Sequence, residues 1–152
     1  MNEVLYNAYV KILKEELLPA MGCTEPIAVA YAAALVRKTL GTIPQSAEVH
    51  VSANIIKNVK SVVVPHTGGM RGIDAAVAAG IIAGNADREL EVLSDVNEEE
   101  VRIMAHYLKQ TPISIAASDN GYIFDIQIRA NAGEHTAFVR IAGSHTNVIR
   151  VE

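Results

Sequence analysis

Tryptophan is absent from these 152 residues, phenylalanine occurs twice, and aromatic residues make up only 5%. A core drawn from such a chain is aliphatic. Lys and Arg number 13 against 17 Asp and Glu, for a net charge of −4. No basic stripe with interleaved aromatics is present, which argues against a nucleic-acid partner. No apolar stretch reaches the roughly 18 residues a membrane span needs; the run over residues 27–36 is closed by Arg37 and Lys38. The first residues are acidic and polar early and show no secretory pattern. There is one cysteine, Cys23, so no internal disulfide can form, as in a reducing cytoplasm.

Half of the residues are hydrophobic, enough for one domain with its own core. Residues 2–18 read as a helix, with Val4, Leu5, Ala8, Ile12 and Leu17 on one stripe and Pro19 ending it. A second helix is predicted over 25–40 and capped by Gly41. Gln45 to Ala53 alternates as a half-covered strand: Ala47, Val49, Val51 and Ala53 on one face, Glu48, His50 and Ser52 on the other. Residues 54–58 read as a polar–apolar elbow, and 61–64 as a short buried strand stopped by Pro65. A glycine-rich loop over 66–72 then feeds an apolar helix from Ile73 to Ala83, which Gly84-Asn85 breaks. Residues 86–93 read as a short helical stretch. Asn97 caps a helix running to about Gln110, with Glu98, Glu99 and Glu100 in its first turn.

Beyond it, residues 112–118, 122–130, 135–142 and 145–151 read as strands split by hairpin signals. The pattern predicts a single α+β domain over 1–152, an antiparallel sheet packed against Ala-rich helices. The chain stops on what reads as the end of a strand, as the N-terminal fragment of a longer protein would. The edge at 145–152 would then need a cover, from the missing half or from a second copy.

The most specific string is Met21-Gly22-Cys23-Thr24-Glu25-Pro26-Ile27-Ala28. Thr24 suits an N-cap, Glu25 complements the positive end of the helix dipole, and Pro26 suits a first helical turn. Cys23 therefore stands just ahead of a helix start, where free N–H groups favour the thiolate. On composition alone a lone cysteine is a small buried hydrophobe; its position favours the thiolate, the form that ligates iron or attacks an electrophile. Asn54, Lys57 and Asn58 read either as a solvated turn or as a substrate contact. In the second case Lys57 pairs with a carboxylate or acts as a base through burial. Thr67, Gly68 and Arg71 read as a helix-entry turn, or as backbone N–H groups and a guanidinium holding a carboxylate. The loop lacks the Gly-Lys-Ser/Thr of a phosphate-binding signature. The histidines show no helical zinc spacing.

Four strings together resemble the N-terminal part of the L-cysteine desulfidase family, a relative of the alpha chain of iron–sulfur L-serine dehydratases. They are Gly22-Cys23-Thr24-Glu25-Pro26-Ile27-Ala28, Asn54-Ile55-Ile56-Lys57-Asn58, Pro65-His66-Thr67-Gly68-Gly69-Met70-Arg71-Gly72 and His145-Thr146-Asn147. The resemblance implies a cytoplasmic lyase that splits L-cysteine into pyruvate, ammonia and sulfide, or L-serine into pyruvate and ammonia. It implies a 4Fe–4S cluster, no pyridoxal phosphate, and a homo-oligomer or pairing with a missing C-terminal half. Cys23 matches the N-terminal cluster ligand. Asn54, Asn58, Thr67, Gly68 and Arg71 fall around the substrate, and Lys57 and His145 are the catalytic candidates. The family's other cluster cysteines lie in its C-terminal half, and this sequence has none of them, so residues 1–152 alone are expected to be inactive. The alternative is a non-catalytic structural or oligomerising domain whose cysteine is buried.

Overall fold

The computed structural model describes residues 24–118 and 123–152. The helix expected over 2–18, Cys23 and the turn expected at 119–121 lie outside the described residues. Helix α1 spans Thr24–Leu40 and ends as expected, with the Gly41 N–H bonded to the Arg37 carbonyl at 2.9 Å. Strand β1 covers Ser46–Ser52, with Ala47, Val49 and Val51 buried on one face.

The chain then departs from the elbow expected at 54–58 and forms a seven-residue helix, α2, Ala53–Val59. Ile55 and Val59, four apart, are buried together, and that spacing is helical. Ala53 opens this helix, exposed, rather than closing β1. The strand expected at 61–64 is reduced to a single bridge, Val63 to Arg71; Val64 is buried but Val63 is exposed.

Helix α3 spans Ile73–Ala83, a 3-10 stretch Ala86–Glu91 follows, and α4 spans Glu98–Gln110. The start of α4 is a reciprocal cap. The Asn97 side chain accepts from the Glu100 N–H at 2.8 Å, and the Glu100 carboxylate accepts from the Asn97 N–H at 3.2 Å. Strands β2 Ile113–Ser118, β3 Asp125–Ala132, β4 His135–Ala142 and β5 Val148–Val151 complete the fold.

The architecture is α+β, as expected. The sheet has five strands in the order β2-β1-β3-β4-β5. It is mixed rather than wholly antiparallel: β1 pairs parallel with β2 and antiparallel with β3. A parallel pair needs a crossover, here the segment α2–α3–α4. Thus β1 lies between β2 and β3, which a meander would have made neighbours. The carboxyl ends of β1 and β2 lie at the sheet edge where β3 begins and β4 ends.

One sheet face joins the core through Val49, Val51, Ile126, Ile128, Val139 and Ile141. Against it lies α1, buried almost all round, as an Ala-rich helix between layers must be. Helix α3 packs on α1. A Cβ on Gly80 would fall on Ala30 and Ala33, and one on Gly84 on Ala34. Both numbers rise together along this contact, so the helices run parallel, with their N-termini on the same side. The Arg37 guanidinium donates to the carbonyls of Ile81 and Ile82 at 2.9 and 3.3 Å, satisfying the C-terminal end of α3.

Candidate functional site

Helix α2 presents Asn54, Lys57 and Asn58 on one face, at positions i, i+3 and i+4, all exposed. The same spacing that buries Ile55 and Val59 aims these three outward. Because Lys57 is exposed, it suits pairing with a carboxylate better than the desolvated-base role. Among the described residues it has no ion-pair partner.

Just beyond α2 the chain is sewn to the glycine loop. The Arg71 guanidinium donates to the Ser61 carbonyl at 2.7 Å, the Gly72 N–H to Val62 at 3.2 Å, and the Val64 N–H to Met70 at 2.8 Å. Inside the loop, Thr67 is only 1% exposed. Its hydroxyl donates to the Val64 carbonyl at 2.7 Å and accepts from the Met70 N–H at 3.1 Å. Thr67 therefore holds the loop in shape from inside rather than offering its hydroxyl outward. Gly68 and Gly69 take φ of 71° and 98°, and His66 takes 62°, uncommon for a residue with a side chain. The Gly68 backbone also lies against α4, since a Cβ there would stand 3.1 Å from Val101 Cγ1.

His145 lies in the turn between β4 and β5, half-buried, its ring 4.4 Å from that of Phe124. The Gly143 N–H bonds to the Phe124 carbonyl at 3.0 Å, which pins the turn to the start of β3. His145 and α2 thus occupy the same end of the sheet, separated by the start of β3. Cys23 lies outside the described residues. The N-terminus of α1, at Thr24, shares a side with that of α3, whose N-cap is Gly72.

One group at this end was not singled out from the sequence. The Asp125 carboxylate is wholly buried and gathers side chains from three strands. Arg140 Nε donates to Oδ1 at 3.0 Å, and Gln127 Nε2 and Ser118 Oγ donate to Oδ2 at 2.9 and 3.2 Å. The Asp125 N–H donates to Ser52 Oγ at 3.1 Å, bringing in β1. The only local hint is an acid standing between Phe124 and Ile126. Ser52, expected on the solvent face, is consequently buried.

Among the described residues no group of three or more His, Cys, Asp or Glu side chains is arranged to hold a metal ion. With a single thiol, the whole chain falls short of the roughly three thiolates that a cluster with one open iron takes. Among the described residues no helix is long and apolar enough to cross a membrane. A shallow cleft of about 350 Å³ lies at the C-terminal ends of α1 and α3, lined by Arg37, Lys38 and Asp87. It is at the far end of both helices from Gly72.

These features define an α+β fold with a candidate helix-and-loop site at the carboxyl ends of two parallel strands. No family model matches the chain. It is similar to proteins named UPF0597. It is 50% identical over 147 residues to one from Desulfitobacterium hafniense (strain Y51), covering 97% of this chain and 34% of that relative. It is 46% identical to one from Treponema denticola over 95% of this chain and 33% of the relative. For one from Vibrio campbellii the figures are 40%, 96% and 34%. The chain spans about a third of the length of these curated relatives.

Proposed function

We propose that this chain supplies the substrate-holding part of a lyase that removes the β-substituent of a small α-amino acid, L-cysteine or, alternatively, L-serine, without pyridoxal phosphate. The reading rests on one observation: Ser61 and Val62 are bonded to Arg71 and Gly72, which ties the glycine loop to the chain just beyond the helix that carries Asn54, Lys57 and Asn58. Lys57 and Arg71 supply positive charge for the substrate carboxylate, and Asn54 and Asn58 supply amide donors and acceptors. Backbone N–H groups around Gly68 and Gly69 add neutral donors. His145 is the candidate for accepting the α-proton. Loss of that proton and cleavage of the C–S bond release hydrosulfide and aminoacrylate. Tautomerisation and hydrolysis of aminoacrylate then give pyruvate and ammonia.

Cys23 is the one ligand this chain offers a 4Fe–4S cluster, so the remaining thiolates belong to the part of the lyase beyond these residues. The protein belongs, on this reading, in the cytoplasm as a homo-oligomer or paired with that missing part, with no nucleic-acid or membrane partner.

The test is anaerobic reconstitution of the full-length Desulfitobacterium hafniense relative, with sulfide and pyruvate measured from L-cysteine and pyruvate from L-serine. Turnover is expected, and its loss in the alanine variant aligned with Cys23. A reconstituted protein that carries cluster absorbance but turns over neither amino acid overturns the proposal. So does a Cys23-equivalent variant as active as its parent.

A further inference from the structure

We infer that the outer edge of β2 is the seam on which the remaining two thirds of a UPF0597-length chain docks. The two ends of the sheet are built differently. At one end, β5 carries Arg150 and is followed by Glu152, and its register against β4 shifts between Arg140 and Ile141. Charges and irregular register are how proteins protect an exposed strand.

At the other end, β2 reads Ile113-Ser114-Ile115-Ala116-Ala117-Ser118, with no charge, proline or glycine. Ile113 packs against the core, but Ser114, Ile115, Ala116 and Ala117 are all exposed, so most of the strand lacks a covering layer; Ile115 shows 39% of its surface. Among the described residues its one strand neighbour is β1. The Ala47 N–H bonds to the Pro112 carbonyl. With the two-residue repeat of a strand, the backbone groups of Ile113, Ile115 and Ala117 therefore face outward. The short side chains of Ser114, Ala116 and Ser118 on one face let a covering layer approach closely, and Ile113 and Ile115 on the other offer it apolar surface. Such an edge on a free protein is an aggregation hazard.

The length comparison names the occupant. The relatives match nearly all of this chain with about a third of their own length, leaving roughly two thirds to cover it. Docking there would also bring new residues beside Ser118, which bonds to Asp125 at the candidate-site end of the sheet. The inference does not rest on the lyase reading.

The test is hydrogen exchange by mass spectrometry on the full-length Desulfitobacterium hafniense relative and on this 152-residue chain. In the peptide aligned with 113–118, the outward amides should exchange at least about a hundredfold more slowly in the full-length protein. Equal rates in the two proteins overturn the inference. Light scattering on the 152-residue chain separates the rival occupant. A monomer supports the inference. A dimer that Ala117→Pro dissociates would give the edge to a second copy and overturn it. Proline at 117 removes an outward N–H and spares the bonds to β1.

Discussion

The carbonyl oxygen of Ala30 occupies the place where a side chain on Gly80 would stand: a Cβ there would come within 2.1 Å of it. The obstacle is backbone at the centre of the α1–α3 contact, not the tip of a flexible side chain. Gly80→Ala must push the helices apart, although alanine is the better helix former by about 1 kcal/mol. Overpacking of this kind costs about 1–3 kcal/mol, and a rigid obstacle puts Gly80 near the top of that range. Urea denaturation of the variant should show a lower midpoint with an unchanged slope. An unchanged midpoint would mean that the helix axes separate freely.

Asp125 and Arg140 make a different kind of contact, a buried carboxylate on a guanidinium that is itself largely covered, 3.0 Å apart. Removing one partner of such a pair costs about 3–5 kcal/mol, because the other is left buried and uncompensated. Asp125→Asn also disturbs the bonds from Gln127 and Ser118. Each single change should therefore be costly, and the double variant should lose clearly less than the sum. Additive losses in a double-mutant cycle would show that the pair is not a coupled unit.

What could be read from the chain was whatever local chemistry decides. Asn97 and Glu100 cap a helix across three residues, and Gly41 ends another, so both ends were predictable. The α+β class followed from helical periods giving way to alternating ones. Helix α2 was missed because Ile55 and Val59 are its only fully buried anchors, and two residues do not establish a period. The parallel pairing of β1 and β2 was missed because the two strands are about 60 residues apart in the chain, and local turn signals carry no information about such a partner. The Asp125 network needs four strands in register before it exists. The candidate strings at 54–58 and 65–72 were legible as motifs. The bond from Arg71 to Ser61, just beyond the first of them, was visible only in three dimensions.

Tyr107 and Tyr31 predict how the fold responds to base. Burial pushes the Tyr107 phenol up, opposed in part by the Thr111 side chain. Burial, and then the charge of Glu89, push Tyr31 up. Both phenols therefore hold their protons in the folded protein at a pH where the unfolded chain, titrating near the ordinary 10.0, has begun to lose them. The folded state binds more protons there, so stability is full below about pH 10 and falls as pH rises through the folded-state values. Thermal midpoints should decline above pH 10, and Tyr31→Phe should flatten that decline. An equally steep decline in the phenylalanine variant would assign the alkaline loss to other groups.

Thr67 offers a way to separate loop architecture from substrate contact. Its hydroxyl serves the Val64 carbonyl and the Met70 N–H at once. Thr67→Val keeps the size and leaves both backbone groups without their partner in a buried place, at a cost of about 1–3 kcal/mol. Thr67→Ser keeps the hydroxyl and should retain most of the stability. Arg71→Lys is the complementary change. It keeps the charge and leaves Thr67 untouched, while giving up the planar guanidinium that reaches Ser61. If the loop's shape is what presents its N–H groups, carboxylate affinity measured by calorimetry should fall in Thr67→Val and survive in Thr67→Ser, in step with stability. If Arg71 holds the carboxylate directly, Arg71→Lys should weaken binding while the thermal midpoint stays within a few degrees of the parent. Equal affinity in all three variants would remove the 65–72 loop from the site and leave the face of α2 to account for it.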